Sequence, residues 1–228
     1  MDKCVLITGA NRGLGLGFCQ HYLALGWRVY ACCREPQLLE ERLQNHSKLL
    51  AVSLDLSCNS SIEQCVNLIL SSSSQFDLLI NNAGISCNAD FGQWCAEDFE
   101  QSFRINAIAP ALLVQGLRET LKPAAKIVQL SSGLASASNA LSQKASDAFA
   151  SYAMSKAALN MLSAKLAANL PEQVVLSMSP GWVRTQMGGA DAPESVQELV
   201  PKFCSSIERL SAEHSGGFFD ENGEVIAF

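Results

Sequence analysis

The chain reads as α/β, a doubly wound parallel sheet of about seven strands with helices on both faces. Three observations predict this. Short apolar, β-branched runs alternate with longer stretches of helical periodicity along the whole length. Polar or glycine-rich motifs follow the ends of those runs, at Thr8 to Gly15, Arg34, Asp55, Asn81 to Gly84, Ser131-Ser132 and Pro180 to Thr185. Open parallel sheets hold their ligands there. The 228 residues, 48% hydrophobic and only 17% charged, suit one ordinary domain with a large core and argue against disorder. No internal repeat or composition break divides the chain, so residues 1–228 are read as a single domain.

Lys3 to Ile7 is the first buried strand. It runs into Thr8-Gly9-Ala10-Asn11-Arg12-Gly13-Leu14-Gly15, after which Phe18, Cys19, Tyr22 and Leu23 mark a helix. Glycine at 9, 13 and 15 lets backbone approach a pyrophosphate. The helix that follows turns free N–H groups and its positive dipole end to the same place. The spacing is not Gly-x-Gly-x-x-Gly, yet three glycines in one strand-to-helix turn point to nucleotide binding. Trp27 to Cys33 is the second strand. In NAD-binding folds an acidic residue near its end holds the ribose 2′-OH. Here Cys33 takes that place and Arg34 follows. An arginine there pairs with a 2′-phosphate, with Arg12 as second partner, which points to NADP (NADPH) in preference to NAD. The competing reading has Glu35 reaching the 2′-OH and Arg34 simply solvated.

Pro36 to Gln44 fits a helix and Leu49 to Leu54 a third strand. Asp55, followed by Leu56, either accepts from an adenine amine or merely opens the turn before a helix over Ser60 to Leu70. Phe76 to Ile80 is a fourth strand, leading into Asn81-Asn82-Ala83-Gly84. Phe91 to Leu121 carries helical periodicity interrupted at Pro110, which kinks the run or frees a carbonyl. Ala125 to Leu130 is a fifth strand, ending at Ser131-Ser132-Gly133. Leu134 to Ala150 is small and polar and reads as a mobile loop beside the site. A helix from Tyr152 to about Leu170 is stopped by Pro171. Val174 to Ser179 is a sixth strand, Pro193 to Leu210 a helix, and Gly216 to Phe219 a last short strand before an Asn222-Gly223 turn.

The chemistry centres on Ser151-Tyr152-Ala153-Met154-Ser155-Lys156. Tyr152 and Lys156 are four apart, so a helix places them on one face, one turn from each other. A phenol titrates near ~10, too high for ready acid-base work at neutral pH. A fixed ammonium close by favours the phenolate and lowers that value, so the pair could pass a proton to or from a substrate oxygen. By itself the spacing equally suits an exposed Tyr and Lys that share a face.

The ordered set resembles the classical short-chain dehydrogenase/reductase family over essentially the whole chain. The matching elements are Thr-Gly-x-x-x-Gly-x-Gly, Asn-Asn-Ala-Gly, a mid-helix Asn, Ser before Tyr-x-x-x-Lys, and Pro-Gly. The segments Pro180-Gly181-Trp182-Val183-Arg184-Thr185-Gln186-Met187-Gly188-Gly189 and Ser215-Gly216-Gly217-Phe218-Phe219 are similar to the C-factor and sniffer-type carbonyl reductase subgroup. The resemblance implies a Rossmann fold and an NADPH-dependent carbonyl reductase acting on a small-molecule carbonyl or alcohol. It implies Tyr152 as proton donor and Lys156 as the residue that lowers its pKa and holds the nicotinamide ribose. Ser132 would bind the substrate carbonyl, with Ser131 as fallback, and Asn106 would position a water in the proton relay. Gly9, Asn11, Arg12, Gly13, Leu14, Gly15, Arg34, Asp55 and Leu56 would bind the cofactor. Asn82, Ala83 and Gly84 would line its adenine-ribose side, and Pro180, Gly181, Val183 and Thr185 the nicotinamide side. Ser132 to Tyr152 spans twenty positions, longer than the family's usual spacing, which implies a remodelled substrate side. The alternative from another class is a C-factor-like, cofactor-bound signalling protein, against which the intact Ser, Tyr and Lys weigh. Family members commonly pair through the Tyr-x-x-x-Lys helix and the one before it, which leaves a homodimer open.

A formal charge of −6 argues against a nucleic-acid surface and polybasic membrane attachment. No apolar run approaches the roughly 20 residues that span a bilayer. Nine cysteines, odd in number and mostly in apolar segments, read as reduced core thiols of a cytoplasmic protein with no metal site.

Overall fold

The computed structural model describes residues 3–142 and 147–228. One parallel sheet of seven strands runs in the order β3-β2-β1-β4-β5-β6-β9. These are β1 (Cys4–Thr8), β2 (Arg28–Cys33), β3 (Leu49–Ser53), β4 (Phe76–Asn81), β5 (Leu121–Leu130), β6 (Val174–Met178) and β9 (Phe218–Phe219). β1 is an inner strand, with Val5 in register with Val29 on one side and Leu78 on the other. Being covered on both faces, it is apolar at successive positions rather than alternating. The reversal of strand order beside β1 opens the crevice in which such sheets bind ligands.

Two apolar layers clamp the sheet. Val5, Ile7, Val128 and Leu130 pack under α1 (Gly13–Ala24) and α8 (Val196–Arg209), where the Phe18 and Phe203 rings stand 5.6 Å apart. Leu6, Phe76 and Ile127 face the other way, towards α3 (Asn59–Ser71), α5 (Ala109–Leu117) and the end of α7 (Ala150–Asn169). The short helix α2 (Pro36–Arg42) follows β2 as expected. All nine cysteines are free, and six of them are buried.

The structure corrects several expected boundaries. Phe91 to Cys95 is not helical; α4 covers Ala96–Phe103, and a wide π turn over Arg104–Ile108 precedes α5. Pro110 has no N–H to give the carbonyl of Asn106 four residues back, which is where the regular ladder has to loosen. β5 starts four residues earlier than the apolar run suggests. The stretch expected as a mobile loop contains a 3₁₀ turn (Gly133–Ala135), the helix α6 (Ala137–Ser142) and another 3₁₀ turn (Asp147–Phe149); its residues 143–146 lie outside the described residues. α8 begins at Val196 rather than Pro193. Ser195 Oγ accepts from Glu198 N–H at 3.3 Å while the Glu198 carboxylate accepts from Ser195 N–H at 2.9 Å. This capping box fixes the helix start. It also leaves Glu194–Ser195 (β8) to pair with Val183–Arg184 (β7), two short strands without a sequence signal. The last strand shrinks to Phe218–Phe219, followed by the expected turn, closed by Gly223 N–H donating to Asp220 O at 3.1 Å.

Candidate active site

A cavity of about 530 Å³ opens at the carboxyl ends of β1, β2, β4 and β5. Its nucleotide end is made of backbone. Gly9 has φ +65°, and a Cβ there would lie 2.9 Å from Ala83 Cα. A Cβ on Gly15 would lie 2.2 Å from the Gly9 carbonyl oxygen, so only glycine lets the first turn of α1 close onto the loop. Asn82 ties this loop to β4, its Nδ2 donating to Thr8 O at 2.8 Å and Gly9 O at 3.3 Å. Ala83 N–H donates to Thr8 Oγ1 at 3.1 Å. No side chain caps α1, so the first N–H groups of the helix are left without a capping partner where Gly13 and Leu14 line the cavity.

Cys33 and Arg34 line the wall after β2, whereas Glu35 stands at the start of α2 outside the lining. That arrangement supports the arginine reading over the Glu35 one. Asp55 also lines the cavity, but its Oδ1 accepts from Ser57 N–H at 2.9 Å and Ser57 Oγ at 2.7 Å. Those bonds, with the nearby Arg34 guanidinium, hold its carboxyl below the usual range. Asp55 therefore does open the turn before α3. Arg12 bonds across the cleft to the Gln186 side chain.

The other end, at the start of α7, is made of side chains. Tyr152 and Lys156 sit one turn apart on α7 and both line the cavity. Burial pushes the Tyr152 phenol above its ordinary value, opposed by a hydrogen bond with the Ser132 hydroxyl. The net shift is upward, against the lowering expected from Lys156, because burial outweighs what lowers it. Lys156 Nζ lies 5.7 Å from the Tyr152 ring centre and donates instead to Leu130 O at 2.6 Å. Burial draws the Lys156 ammonium down to about 8. Gly84 makes room for it, since a Cβ there would sit 3.3 Å from Nζ. The Ser132 hydroxyl also accepts from Leu134 N–H at 3.2 Å.

Asn106, in the π turn, is fully buried and its amide is committed. Oδ1 accepts from Ile85 N–H, and Nδ2 donates to Ile85 O and Ser155 Oγ, all at 2.9 Å. Ser155 Oγ donates in turn to Tyr152 O at 2.7 Å. The side chain of Asn106 thus braces the turn after β4 against α7 rather than entering the cavity.

Of the residues singled out in the sequence, Gly9, Asn11, Arg12, Gly13, Leu14, Arg34, Asp55, Leu56, Asn82, Ala83, Gly84, Ser131, Tyr152, Lys156, Pro180 and Thr185 line this one cavity. Gly15, Ser132 and Asn106 act from just behind it, and Gly181 (φ +73°) and buried Val183 shape the segment that carries Thr185. The sequence reading missed Ile85 and Ser86, which directly follow Asn-Asn-Ala-Gly, and Gln186 and Met187, which follow Thr185. Adjacency could have found these four; Leu54, Ile105 and Leu130 are plain apolar wall and carry no signal. Among the described residues there is no cluster of metal-ligating side chains, and no helix is long and apolar enough to cross a membrane.

The family model for short chain dehydrogenases matches residues 3–195. The NADPH-bound carbonyl reductase from chicken fatty liver superposes with a TM-score of 0.93 at 34% identity, covering 100% of this chain and 99% of that one. The carbonyl reductase Sniffer of D. melanogaster gives a TM-score of 0.90 at 27% identity, with 100% of both chains covered. The C-signal protein of Myxococcus xanthus is 36% identical over 160 residues, 66% of this chain and 91% of its own length.

Proposed function

This chain belongs to the short-chain dehydrogenase family, an oxidoreductase acting on CH–OH and C=O groups, and from that premise we propose that it is an NADPH-dependent carbonyl reductase with Tyr152 as proton donor. The observation that carries this reading is geometric: Tyr152 and Lys156, one helical turn apart, line the same cavity as the glycine loop and Arg34.

The residues fit the dinucleotide. A backbone cradle that a Cβ would fill would face the pyrophosphate, and Arg34, joined by Arg12 if it leaves the Gln186 side chain, would pair with a 2′-phosphate. Asn11, Asp55, Leu56, Asn82 and Ala83 would line the adenosine, Lys156 would hold the nicotinamide ribose, and Pro180 and Thr185 would border the nicotinamide. NADPH, when bound, supplies the hydride. The chain's own part is alignment and proton delivery. Ser132 orients the carbonyl oxygen of an aldehyde or ketone towards Tyr152. With an ordinary value of 10.0 Tyr152 is already protonated at neutral pH, and burial acts in the same direction; this is the state needed to neutralise an oxygen that gains charge. Lys156, at about 8, is still mainly charged at neutral pH and sets a positive potential beside that oxygen. The Asn106–Ser155 bridge keeps the first turn of α7, and so Tyr152, in place.

NADPH consumption against a panel of aldehydes and ketones, run beside NADH, tests the reading. Turnover that disappears in Tyr152→Phe supports it. The relationship to C-signal favours a second reading, a cofactor-binding signalling protein with little turnover; NADPH binding without consumption of any panel member would select it. The same family reading supports a homodimer. Met154, Ala157 and Met161 form an exposed stripe on α7, and Ile108 in the π turn and Leu112 on α5 are exposed too.

A further inference from the structure

Among the described residues, four buried side chains carry polar atoms with no hydrogen-bond partner in the protein: Asn81, Gln129, Ser131 and Asn160. They share one place. Val128 and Leu130 join the core under α1 and α8, whereas Ile127 joins the opposite core. Alternation along β5 therefore puts Gln129, and Ser131 just beyond it, on the α7 side. Asn81 stands in register with Gln129 on β4, and Ser177 flanks Gln129 on β6. α7 covers this row, with Ser163 Oγ 2.7 Å from Ser177 Oγ. Asn160 lies on the same buried stripe of α7, between Ser163 and Lys156. Lys156 Nζ reaches the carbonyl of Leu130, the residue between Gln129 and Ser131. Ser131 itself lines the cavity.

We propose that these side chains bind a file of internal water that enters from the cavity at Ser131 and runs beneath α7 behind Lys156, with Gln129 and Asn160 as positioning residues for its ammonium. The positioning role rests on the reading of Lys156 as the lysine that serves the cofactor. Buried amides are satisfied by protein or by ordered water, and a polar internal site with several donors and acceptors holds water where an apolar one stays dry. Five amide atoms and a hydroxyl supply those partners. Lys156 needs them. Burial is what depresses it, and no charged group on α4, β5, β6 or the 104–108 turn bears on it. Its titratable neighbour is Tyr152; Gly84, Asn106 and the Leu130 carbonyl face it without charge. Water dipoles at its back stabilise the charged form in a place that the bulk solvent does not reach.

A high-resolution crystal structure of the cofactor-free protein tests the site directly. Solvent peaks at roughly 2.7–3.2 Å from the Gln129 and Asn160 amides are expected; amides bonded to each other, or no solvent there, would overturn the site. The positioning role is read from the pH dependence of the NADPH dissociation constant, followed by protein fluorescence. Asn160→Leu should move the limb that belongs to Lys156 down by about one pH unit, tenfold in the protonation equilibrium. Asn160→Ser, which keeps a polar group and leaves room for a further water, should hold it near the wild-type position. An unmoved limb in Asn160→Leu overturns the positioning role, and Gln129→Met carries the same comparison if that variant does not fold. Lys156→Met must abolish the limb. If the limb persists there, the reading of Lys156 fails and the positioning role with it, while the crystal structure still decides the water site.

Discussion

The two ends of the cavity are assembled by different means. At the nucleotide end the working parts are backbone N–H groups and glycines within a few residues of a strand end, and side chains mostly stay out of the way. At the catalytic end they are side chains tied over long stretches of chain. Asn106 is joined to Ile85 across 21 positions and to Ser155 across 49, and Lys156 to Leu130 across 26. The first end fails when atoms are added, and the second when they are removed. Cofactor binding and chemistry should therefore come apart under mutation.

The sharpest break is at the catalytic end. Tyr152→Phe keeps the ring and removes the proton, so turnover should fall by about 10²-fold or more while the NADPH dissociation constant stays near wild type. Steady-state rates beside a fluorescence titration check both halves, and wild-type turnover would make the tyrosine a packing residue. Ser132→Ala should follow the same pattern if Ser132 is the serine that serves the phenol; the same loss in Ser131→Ala, which lines the cavity, would assign that role to Ser131 instead.

Adding one methyl at the other end should do the reverse. Gly15→Ala puts a Cβ against the Gly9 carbonyl and the Asn82 amide. A cost of about 1–3 kcal/mol in stability is expected for overpacking of this kind, along with weakened NADPH binding. Calorimetry with and without cofactor measures each. A variant as stable as wild type would show that the loop has slack the geometry denies.

Arg34→Asp acts on the same end through charge alone. Charge-assisted contacts are worth about 1.5–3 kcal/mol each, so NADPH should lose tens-fold or more in affinity while NADH loses little. Equal losses for the two cofactors would remove Arg34 from the 2′-phosphate.

A smaller effect separates the ends without any cofactor. Lys156 titrates at about 8 when folded against 10.5 as its ordinary value, so between these pH values the unfolded chain binds more protons. Stability gains from this group as pH rises through that window. Tyr152, raised in the fold, gives its contribution back above its own ordinary value of 10.0. Thermal unfolding of Lys156→Met should show less gain from pH 8 towards 10 than wild type does; parallel curves would mean that the lysine is solvated. Smallest of all, Met161→Lys should turn a dimer to monomer in light scattering and leave both ends of the cavity unchanged.

How much of this was legible depended on range. The existence and order of the main strands, the glycine loop, Arg34 and the Tyr152–Lys156 pair were readable because each is a local pattern, set by hydrophobic runs, by steric limits on φ, or by one helical turn. The helix boundaries near Pro110 and Pro193 were misplaced. The π turn and the Ser195–Glu198 capping box each depend on which hydrogen bonds close locally, and periodicity does not carry that. The short helix α6, expected as loop, shows the same limit.

By itself, the sequence determined the parallel sheet, the place of the crevice and most of the residues that reach it, because hydrophobic period and backbone sterics act over a few positions. Tertiary structure alone decided what those residues do electrostatically. The spacing of Tyr152 and Lys156 suggested a lysine lowering a phenol. The fold instead turns Lys156 to the Leu130 carbonyl and leaves desolvation to raise Tyr152. Only packing could also gather Asn81, Gln129, Ser131 and Asn160 into one buried row. Burial and dielectric are sums over distant segments, and no local pattern contains them.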